Sequence, residues 1–250
     1  MQADTKFHLH DDGGRFGTFR IPFSSGGKDS ACGLALVETR DFNQFSPEKW
    51  LSISELERFN SIGSEKIKIQ FACGRMAAKT ALAIFENVAR SNVDVDIAND
   101  GNGKPIVSNS AYEVSISHSG EWSVGLAFPK EFAFGVDVEQ MRENRLNALK
   151  YINHESEPIP NNLQSLTVAW TMKEALSKAL GLGFNLPFQE LAIANFWGKD
   201  CIFECEFTKH KAFRGLAISY GNISLAMVYE KKCLWNCDIH QLLSSLRSAA

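Results

Sequence analysis

The chain has 250 residues and a mass of 27.8 kDa, enough for one large domain or two small ones with a buried core. Hydrophobic residues make up 44% and charged residues 22%, which excludes disorder, collagen and coiled coil. The 26 basic and 29 acidic residues give a net charge of −3, which argues against a nucleic-acid backbone as the main partner.

No segment of the sequence suggests a membrane span or a secretory signal. The uncharged run at 215–229 is short and contains serine, glycine and asparagine, so it predicts a pair of buried strands. The N-terminal segment MQADTKFHLHDDGG carries acidic residues and lacks an apolar stretch. We therefore expect a cytoplasmic protein that has neither a membrane nor a nucleic acid as its partner.

Four of the six cysteines form two C-x3-C pairs, Cys201 with Cys205 and Cys233 with Cys237. Structural zinc knuckles more often use C-x2-C spacing. In CIFECEF, alternate residues share one face of a strand, so Cys201 and Cys205 are predicted to lie beside two phenylalanines. The pattern favours core cysteines over a zinc site, and without an export signal disulfides are not expected.

Residues 1–30 are predicted to form a polar leader, whose first half is expected to be mobile. A strand is predicted at 32–37, followed by a long helical stretch at about 52–90 that breaks near 62–64. Apolar residues in the second part of this stretch predict its buried stripe: Ile67, Phe71, Met76, Leu82 and Phe85.

The polar turn NDGNGKP at 99–105 precedes strands predicted at 112–117 and 122–128, which a tight turn at 118–120 joins. A further strand at 132–139 begins a second series of elements. That series contains helices at 141–152 and 163–180, the latter ended by Gly181 and Gly183, and strands at 191–196, 202–207, 214–220 and 223–229.

Each half of the chain therefore has a long helix followed by strands, with the change near residues 129–131. Helices followed by runs of strands predict an α+β fold rather than a doubly wound parallel sheet. We divide the chain into the leader at 1–30, an N-terminal half at 31–130 and a C-terminal half at 131–250.

The segment GVDVEQ at 135–140 is the first candidate site. Along a strand, Asp137 and Glu139 share one face while valines occupy the other. Two carboxylates on one face of an apolar strand repel each other, and a bound divalent cation such as Mg2+ removes that conflict. A solvated outer face explains the same pattern, so the motif alone leaves both interpretations open.

The helical segment WTMKEALSKALGLG at 170–183 is the second candidate site. Glu174 and Lys178 are four residues apart and lie on one helical face, with Trp170 one turn earlier. They form either an ordinary surface ion pair or, together with Asp137 and Glu139, a site of three carboxylates with a cation for phosphate.

Two turns carry further candidates. His118 in SISHSG is predicted to lie in a turn between apolar strands, where its imidazole faces a ligand, and Ser117 and Ser119 offer donors to a phosphate. Lys104 and Pro105 lie on the loop GNGKP, which by itself indicates only a turn.

The order GKP, SISHS, GVDVE and WTMKEALSKALGLG resembles the 4′-phosphopantetheinyl transferases of the Sfp (surfactin) type over roughly residues 32–230. The stretch KIKIQFACGRMAAKTAL at 66–82 is similar to that family's basic helix. The resemblance implies a pseudo-dimer of two similar α+β halves with the active site in the cleft between them. It also implies transfer of the phosphopantetheine arm of coenzyme A (CoA) to a serine of an apo acyl or peptidyl carrier protein, which releases 3′,5′-ADP.

The resemblance further implies roles for individual residues. Asp137, Glu139 and Glu174 would hold Mg2+, or Mn2+. Catalysis would fall to Glu174, Lys178 and His118, with Glu174 accepting the serine proton directly or through water. The CoA-binding residues would be Lys178 at the pyrophosphate, Ser117 and His118 at the phosphates, Lys104 and Pro105 at the adenine end, and Arg75 and Lys68 at the 3′-phosphate.

The partner implied is a carrier protein of fatty-acid, polyketide or nonribosomal peptide biosynthesis, bound by a monomeric enzyme. Arg142, Arg145 and Lys150 could dock an acidic carrier, although a solvated helix face explains them as well. Glu155 and Glu157 both match the acid that the family carries in a nearby loop.

Two alternatives come from the same sequence. The segment SSGGKDSAC at 24–32 resembles the PP-loop of ATP pyrophosphatases, whose backbone amides hold a pyrophosphate, although a helix should follow such a loop. The other alternative is a catalytically inactive homologue that only binds CoA or carrier proteins. The intact set of Asp137, Glu139, Glu174 and Lys178 argues against it.

Overall fold

A computed structural model of the protein describes residues 4–9, 15–38, 46–87, 94–108, 110–153, 156–182 and 187–238. The chain divides into two compact units. The first unit contains the described residues up to Glu131 and those from Trp235 onward, and the second contains Phe132–Leu234. Each unit packs one long helix on an antiparallel sheet, so the predicted α+β class is confirmed.

The sheet of the first unit begins within the segment that the sequence set apart as a leader. Its strands are β1 (Asp4–Leu9), β2 (Arg15–Ser25), β3 (Lys28–Glu38), β6 (Tyr112–Ser119) and β7 (Trp122–Pro129), and the short β13 (Leu234–Trp235) also pairs with β2. The strand order is β1-β2-β3-β7-β6, and residues 15–25 form a full strand in it because Phe19, Ile21 and Phe23 alternate toward a buried face.

The turn between β2 and β3 excludes the PP-loop interpretation. Ser25 pairs with Lys28, so Gly26 and Gly27 form a two-residue hairpin turn. Both glycines have positive φ, 56° and 77°, as a type I′ turn requires. Strand β3 then continues to Glu38 where a phosphate-binding loop would open a helix. The segment SSGGKDS is therefore the tip of a β-hairpin.

Two helices of the first unit follow β3. Helix α1 (Ile53–Ser61) begins with a capping box in which Ser52 and Glu55 satisfy each other's backbone amides, and α2 (Glu65–Glu86) packs on β3, β7 and β6. The predicted break near 62–64 is therefore present. The short hairpin of β4 (Ile97–Asn99) and β5 (Pro105–Val107) encloses the predicted polar turn.

The predicted buried stripe of α2 is right at Met76 and Leu82 and wrong at Ile67. The side chain of Ile67 is 53% exposed, and Ile67 and Phe71 both border a cavity. One side of the first turns of α2 therefore borders an open site, whereas Ile69 packs against the core.

The second unit repeats this plan with five strands, β8 (Phe134–Gln140), β9 (Ile193–Lys199), β10 (Ile202–Phe207), β11 (Phe213–Tyr220) and β12 (Ile223–Glu230). Their order in the sheet is β8-β12-β11-β10-β9. Helix α4 (Leu163–Ala179) packs on β8, β12 and β11, and the short α3 (Leu146–Ile152) packs on α4. None of the helices in the described ranges has both the length and the apolar composition needed to cross a membrane.

Glycines let the long helices approach the sheets closely. A Cβ atom on Gly33 of β3 would lie 2.0 Å from the carbonyl oxygen of Ala81 in α2. A Cβ atom on Gly135 of β8 would lie 2.0 Å from the carbonyl oxygen of Ala175 in α4. The two glycines therefore mark corresponding positions in the two units.

Four of the six cysteines are buried, as predicted for core residues, whereas Cys201 and Cys237 are only half-buried. Cys205 and Phe207 are fully buried in the cluster beneath α4, with Phe203 packed against it. All six cysteines are free, and no cluster of metal ligands is formed by the described residues.

We expect the buried thiols to resist thiol reagents in the native protein. Burial raises the pKa of Cys73 and of Cys233 to about 12, so almost no thiolate forms at pH 8. Titration with DTNB should label these two cysteines only after denaturation in urea, with site assignment by peptide mass spectrometry. Rapid labelling of native Cys73 would contradict its burial.

Candidate functional site

The two acidic residues of β8 face helix α4. Gly135 packs directly against Ala175 of α4, and Asp137 and Glu139 follow at the alternate positions of the same strand. Val136 and Val138 are buried on the opposite face. The strand thus directs both carboxylates toward the helix that carries Glu174 and Lys178.

Helix α4 and the segment before α3 supply cationic and polar partners to these carboxylates. The Nζ atom of Lys178 lies 2.6 Å from Oδ1 of Asp137. Glu139 accepts a hydrogen bond of 3.2 Å from Nε1 of Trp170 and pairs with Arg145 at 3.1 Å. The i, i+4 and i, i+8 spacing of Trp170, Glu174 and Lys178 therefore places one helix face over β8.

The carboxyl group of Glu174 is strongly affected by its surroundings. Glu174 is 8% exposed, and burial raises the pKa of its carboxyl group to about 7. The charges of Asp137 and Glu139 raise this pKa further, and the charge of Lys178 opposes the rise. A carboxyl that titrates near neutral pH can both accept and hold a proton under physiological conditions.

The chemistry of this donor set fits Mg2+. The charges of Asp137 and Glu139 raise the pKa of Glu174, and a divalent cation such as Mg2+, which prefers oxygen ligands, would relieve that conflict. As the side chains stand, no group of described His, Cys, Asp or Glu residues encloses a metal position. The reason is visible for Asp137 and Glu139, which are turned toward Lys178, Trp170 and Arg145.

A separate cavity of about 330 Å3 lies in the first unit, within the size range of small-molecule sites. Its walls come from α1, the first turns of α2, the β4–β5 turn and the end of β6. The lining residues are Arg58, Ile62, Ile67, Gln70, Phe71, Gly74, Arg75, Asn99, Gly103, Pro105, Ile116 and His118.

Two arginines and an aromatic ring make the cavity wall both cationic and partly apolar. The guanidinium of Arg75 lies 4.8 Å from the ring centre of Phe71, and that of Arg58 lies 5.6 Å from it. Arg75 also donates to Oδ1 of Asn99. Arg58, Phe71 and Asn99 were missed in the sequence, where Phe71 fitted the apolar stripe of a helix equally well.

His118 lies on a strand and not in the predicted turn. Strand β6 extends to Ser119, and the turn is formed by Gly120 and Glu121. His118 is nevertheless exposed and lines the cavity beside Ile116, two residues earlier on the same face. Ser117 points to the opposite face, is buried, and is not among the residues of the cavity wall.

The remaining basic candidates lie outside the cavity wall. Lys104 pairs with Glu113 at 2.7 Å, although its neighbour Pro105 lines the cavity. Lys68 lies over the ring of Phe59, 5.4 Å from its centre. The structure therefore brings Arg75, Pro105 and His118 together, and it groups Asp137, Glu139, Glu174 and Lys178 separately in the second unit.

Of the two loop acids, Glu157 lies within the described residues. Glu157 is buried, pairs with Lys173 at 2.7 Å and accepts a 2.7 Å hydrogen bond from the backbone amide of Ile193. Glu155, Gly183 and residues 185–186 lie outside the described residues. Glu157 is thus tied to the residue next to Glu174.

Comparisons with known proteins agree on one family. The model of the 4′-phosphopantetheinyl transferase superfamily matches residues 133–227. A holo-[acyl-carrier-protein] synthase of Staphylococcus saprophyticus is 34% identical over 83 residues, which cover 31% of this chain and 72% of that protein. A synthase of the same name from Anoxybacillus flavithermus is 44% identical over 87 residues, 31% of this chain and 70% of that one. The 4′-phosphopantetheinyl transferase gsp of Aneurinibacillus migulanus is 31% identical over 102 residues, 38% of this chain and 40% of that one.

Proposed function

The chain belongs to the 4′-phosphopantetheinyl transferase superfamily, and on this basis we propose that it transfers the phosphopantetheine arm of CoA to a serine of an apo carrier protein. The observation that carries the proposal is the cluster in the second unit. There a carboxyl with its pKa raised to about 7 lies beside two further carboxylates and a lysine, on the two elements that the family model covers.

Glu174 is the group that takes the proton of the attacking serine. The serine hydroxyl forms a bond to the phosphorus nearest the pantetheine arm, the bond from that phosphorus to 3′,5′-ADP breaks, and 3′,5′-ADP leaves with the bonding electrons. A base with a pKa near 7 is matched to this proton transfer at neutral pH. Because Glu174 is buried, its carboxylate is held in place and shielded from competing water.

Lys178 balances the negative charge that the pyrophosphate brings. Its Nζ atom pairs with Asp137 and its side chain is 26% exposed, so the ammonium group can reach a ligand. Asp137, Glu139 and Glu174 are the residues that would hold Mg2+ or Mn2+, and the bound ion would supply further positive charge against the phosphate oxygens.

The cavity of the first unit is suited to the nucleotide end of CoA. Phe71 offers an apolar ring, Pro105 an apolar wall, and Arg58, Arg75 and His118 offer donors to a phosphate group. We assign the 3′-phosphate to Arg75, with His118 as a second phosphate contact and a candidate catalytic residue. We also propose that Lys68 and Ser117 contact phosphates and that Lys104 contacts the adenine end. These three side chains must turn toward the ligand to do so.

The proposed partner is an acidic carrier protein, and α3 and the segment before it are the proposed docking face. Arg142, Arg145 and Lys150 are exposed there, and the side chain of Tyr151 is 87% exposed. The six free cysteines fit a reducing compartment, which supports a cytoplasmic enzyme. We propose that it acts as a monomer, because one chain carries both units.

The function can be tested by mass spectrometry of apo carrier proteins. Incubation with CoA and Mg2+ should add one phosphopantetheine group to the carrier serine, and EDTA should prevent this addition. Carriers of fatty-acid, polyketide and nonribosomal peptide synthases, compared by rate, would identify the partner. A carrier in which the target serine is replaced by alanine serves as the control.

Two outcomes would contradict the proposal. Modification of the serine-to-alanine carrier would mean that another residue accepts the group. No modification of any carrier, with CoA still bound by the protein, would support the inactive homologue instead.

A further inference from the structure

Glu55 is a buried carboxylate that the proposed reaction does not use. It lies in the first turn of α1, its side chain is 3% exposed, and it is not among the residues that line the cavity. A charge in such a place is costly unless several partners compensate it. Its partners therefore indicate what it organises.

Glu55 contacts residues at the start of α1, in α2 and at the start of β4. Its Oε2 atom pairs with Nζ of Lys79 in α2 at 2.5 Å and accepts the Ser52 amide at 2.9 Å. Its Oε1 atom accepts the amide of Ile97, the first residue of β4, at 3.1 Å. The same Oε1 lies 3.4 Å from Nε of Arg75, at ion-pair distance but without hydrogen-bond geometry.

Two of these contacts lead to the cavity. Arg75 lines the cavity and donates to Asn99, two residues after Ile97 on β4. Asn99 in turn donates to the carbonyl oxygen of Gly103 at 2.6 Å, which holds the turn before Pro105. The Glu55 carboxylate thus links Arg75 to the β4–β5 hairpin.

We propose that Glu55 is a positioning residue that sets the preference of the cavity for a nucleotide with a 3′-phosphate. This inference rests on the proposed function, since it assigns the cavity to the nucleotide end of CoA. Burial lowers the pKa of Arg75 and the charge of Glu55 opposes that change, so Glu55 also helps to keep the guanidinium protonated. Without the Glu55 charge, Arg75 keeps its contacts with Asn99 and Phe71 but loses the ion pair at its Nε atom, so its guanidinium is held less firmly for the phosphate.

The second unit contains a matched control. Glu157 forms the same kind of buried pair with Lys173 of α4 and accepts the amide of Ile193, the first residue of β9. Lys79 and Lys173 each lie two residues before the alanine that contacts the sheet glycine, Ala81 and Ala175. The two pairs are therefore structurally equivalent, and Glu55 in addition pairs with Arg75 of the cavity wall.

The test compares affinities for 3′,5′-ADP and for 5′-ADP, measured by isothermal titration calorimetry in EDTA. We expect the wild-type protein to bind 3′,5′-ADP more tightly. In Glu55→Gln this preference should fall about tenfold, the effect of losing a charge-assisted contact, while affinity for 5′-ADP stays unchanged. The double variant Glu55→Gln/Lys79→Met removes both buried charges and should fold if the single variant does not.

Glu157→Gln should lower the melting temperature by about as much as Glu55→Gln does. It should leave the preference for 3′,5′-ADP over 5′-ADP unchanged. Equal loss of preference in the Glu55 and Glu157 variants would overturn the inference, because it would then reflect stability alone. A wild-type preference for 3′,5′-ADP in the folded Glu55→Gln/Lys79→Met variant would also overturn the inference. That result would leave the proposed function standing if the carrier is still modified. A wild-type protein that binds neither nucleotide would instead contradict the proposed cavity assignment.

Discussion

Replacement of Glu174 by glutamine should lower transfer to an apo carrier by at least about a hundredfold, the usual effect of removing a general base. The amide has nearly the shape of the carboxyl group, so α4 and β8 should keep their packing. The substitution removes the proposed proton acceptor and one of three proposed metal ligands. Steady-state rates with CoA in excess, followed by mass spectrometry of the carrier, would measure the loss.

The same substitution should stabilise the protein. The pKa of Glu174 is raised from 4.5 to about 7 in the folded state, so ionisation of this group disfavours folding. The resulting loss of folding free energy is absent below about pH 4.5 and grows as the pH rises from 4.5 to 7. Above pH 7 it is at most about 3 kcal/mol. Melting curves in EDTA should therefore show Glu174→Gln gaining stability over the wild type at pH 8 and not at pH 4.5.

Glu190→Gln is the control for both measurements. Glu190 belongs to the same unit and pairs with Lys209 at 2.6 Å on the surface. Its loss should change neither the rate nor the stability appreciably, since exposed ion pairs contribute little. Near-normal transfer by Glu174→Gln would remove Glu174 from the mechanism.

The acidic strand and helix motifs of the second unit could be predicted from sequence, because the period of a strand or helix determines which side chains share a face. A D-x-E pattern on a strand must place both acids on one face, and residues four apart on a helix must share a face. The sequence could not show that the two faces meet. That depends on Gly135, which allows α4 to lie against β8, and its close approach is a tertiary property.

The residues of the nucleotide cavity were harder to predict from sequence, again because their surroundings depend on tertiary structure. Ile67 and Phe71 have the spacing of a core stripe, and only the tertiary structure shows that the first turns of α2 border a cavity. His118 was assigned to a turn because glycine follows closely, whereas the strand runs on to Ser119. Glu55 and Glu157 are single acids in polar stretches, so nothing in the local pattern marks them as buried.

The repeated plan of the two units explains why the acid cluster occurs in the second unit. Gly33 faces Ala81 as Gly135 faces Ala175, so the positions of the two units can be matched along strand and helix. The residues of the second unit are Asp137, Glu139, Glu174 and Lys178, and their counterparts in the first are Ala35, Val37, Thr80 and Ile84. The first unit therefore keeps the buried Lys79–Glu55 pair but has no carboxylates at the positions proposed to hold a metal.

Replacement of Gly135 by alanine should destabilise the protein by about 3 kcal/mol or more, because the added Cβ atom has no space. It would lie 2.0 Å from the carbonyl oxygen of Ala175 and 2.6 Å from the amide nitrogen of Ala179. Both neighbours are backbone atoms of α4, so relief requires the whole helix to move away from β8. Such a shift would also separate Glu174 from Asp137, and transfer should fall together with stability.

Two other glycines separate these effects. Gly33→Ala creates the same 2.0 Å clash beneath α2, so it should cost similar stability without moving the acid cluster of the second unit. Gly63→Ala has nothing within 4 Å of the new Cβ atom and should change stability by no more than about 0.5 kcal/mol. Urea unfolding of the three variants, with rates measured on the fraction that stays folded, compares them directly. If folded Gly135→Ala kept the wild-type rate, the distance between α4 and β8 would not be what sets the geometry of the carboxylates.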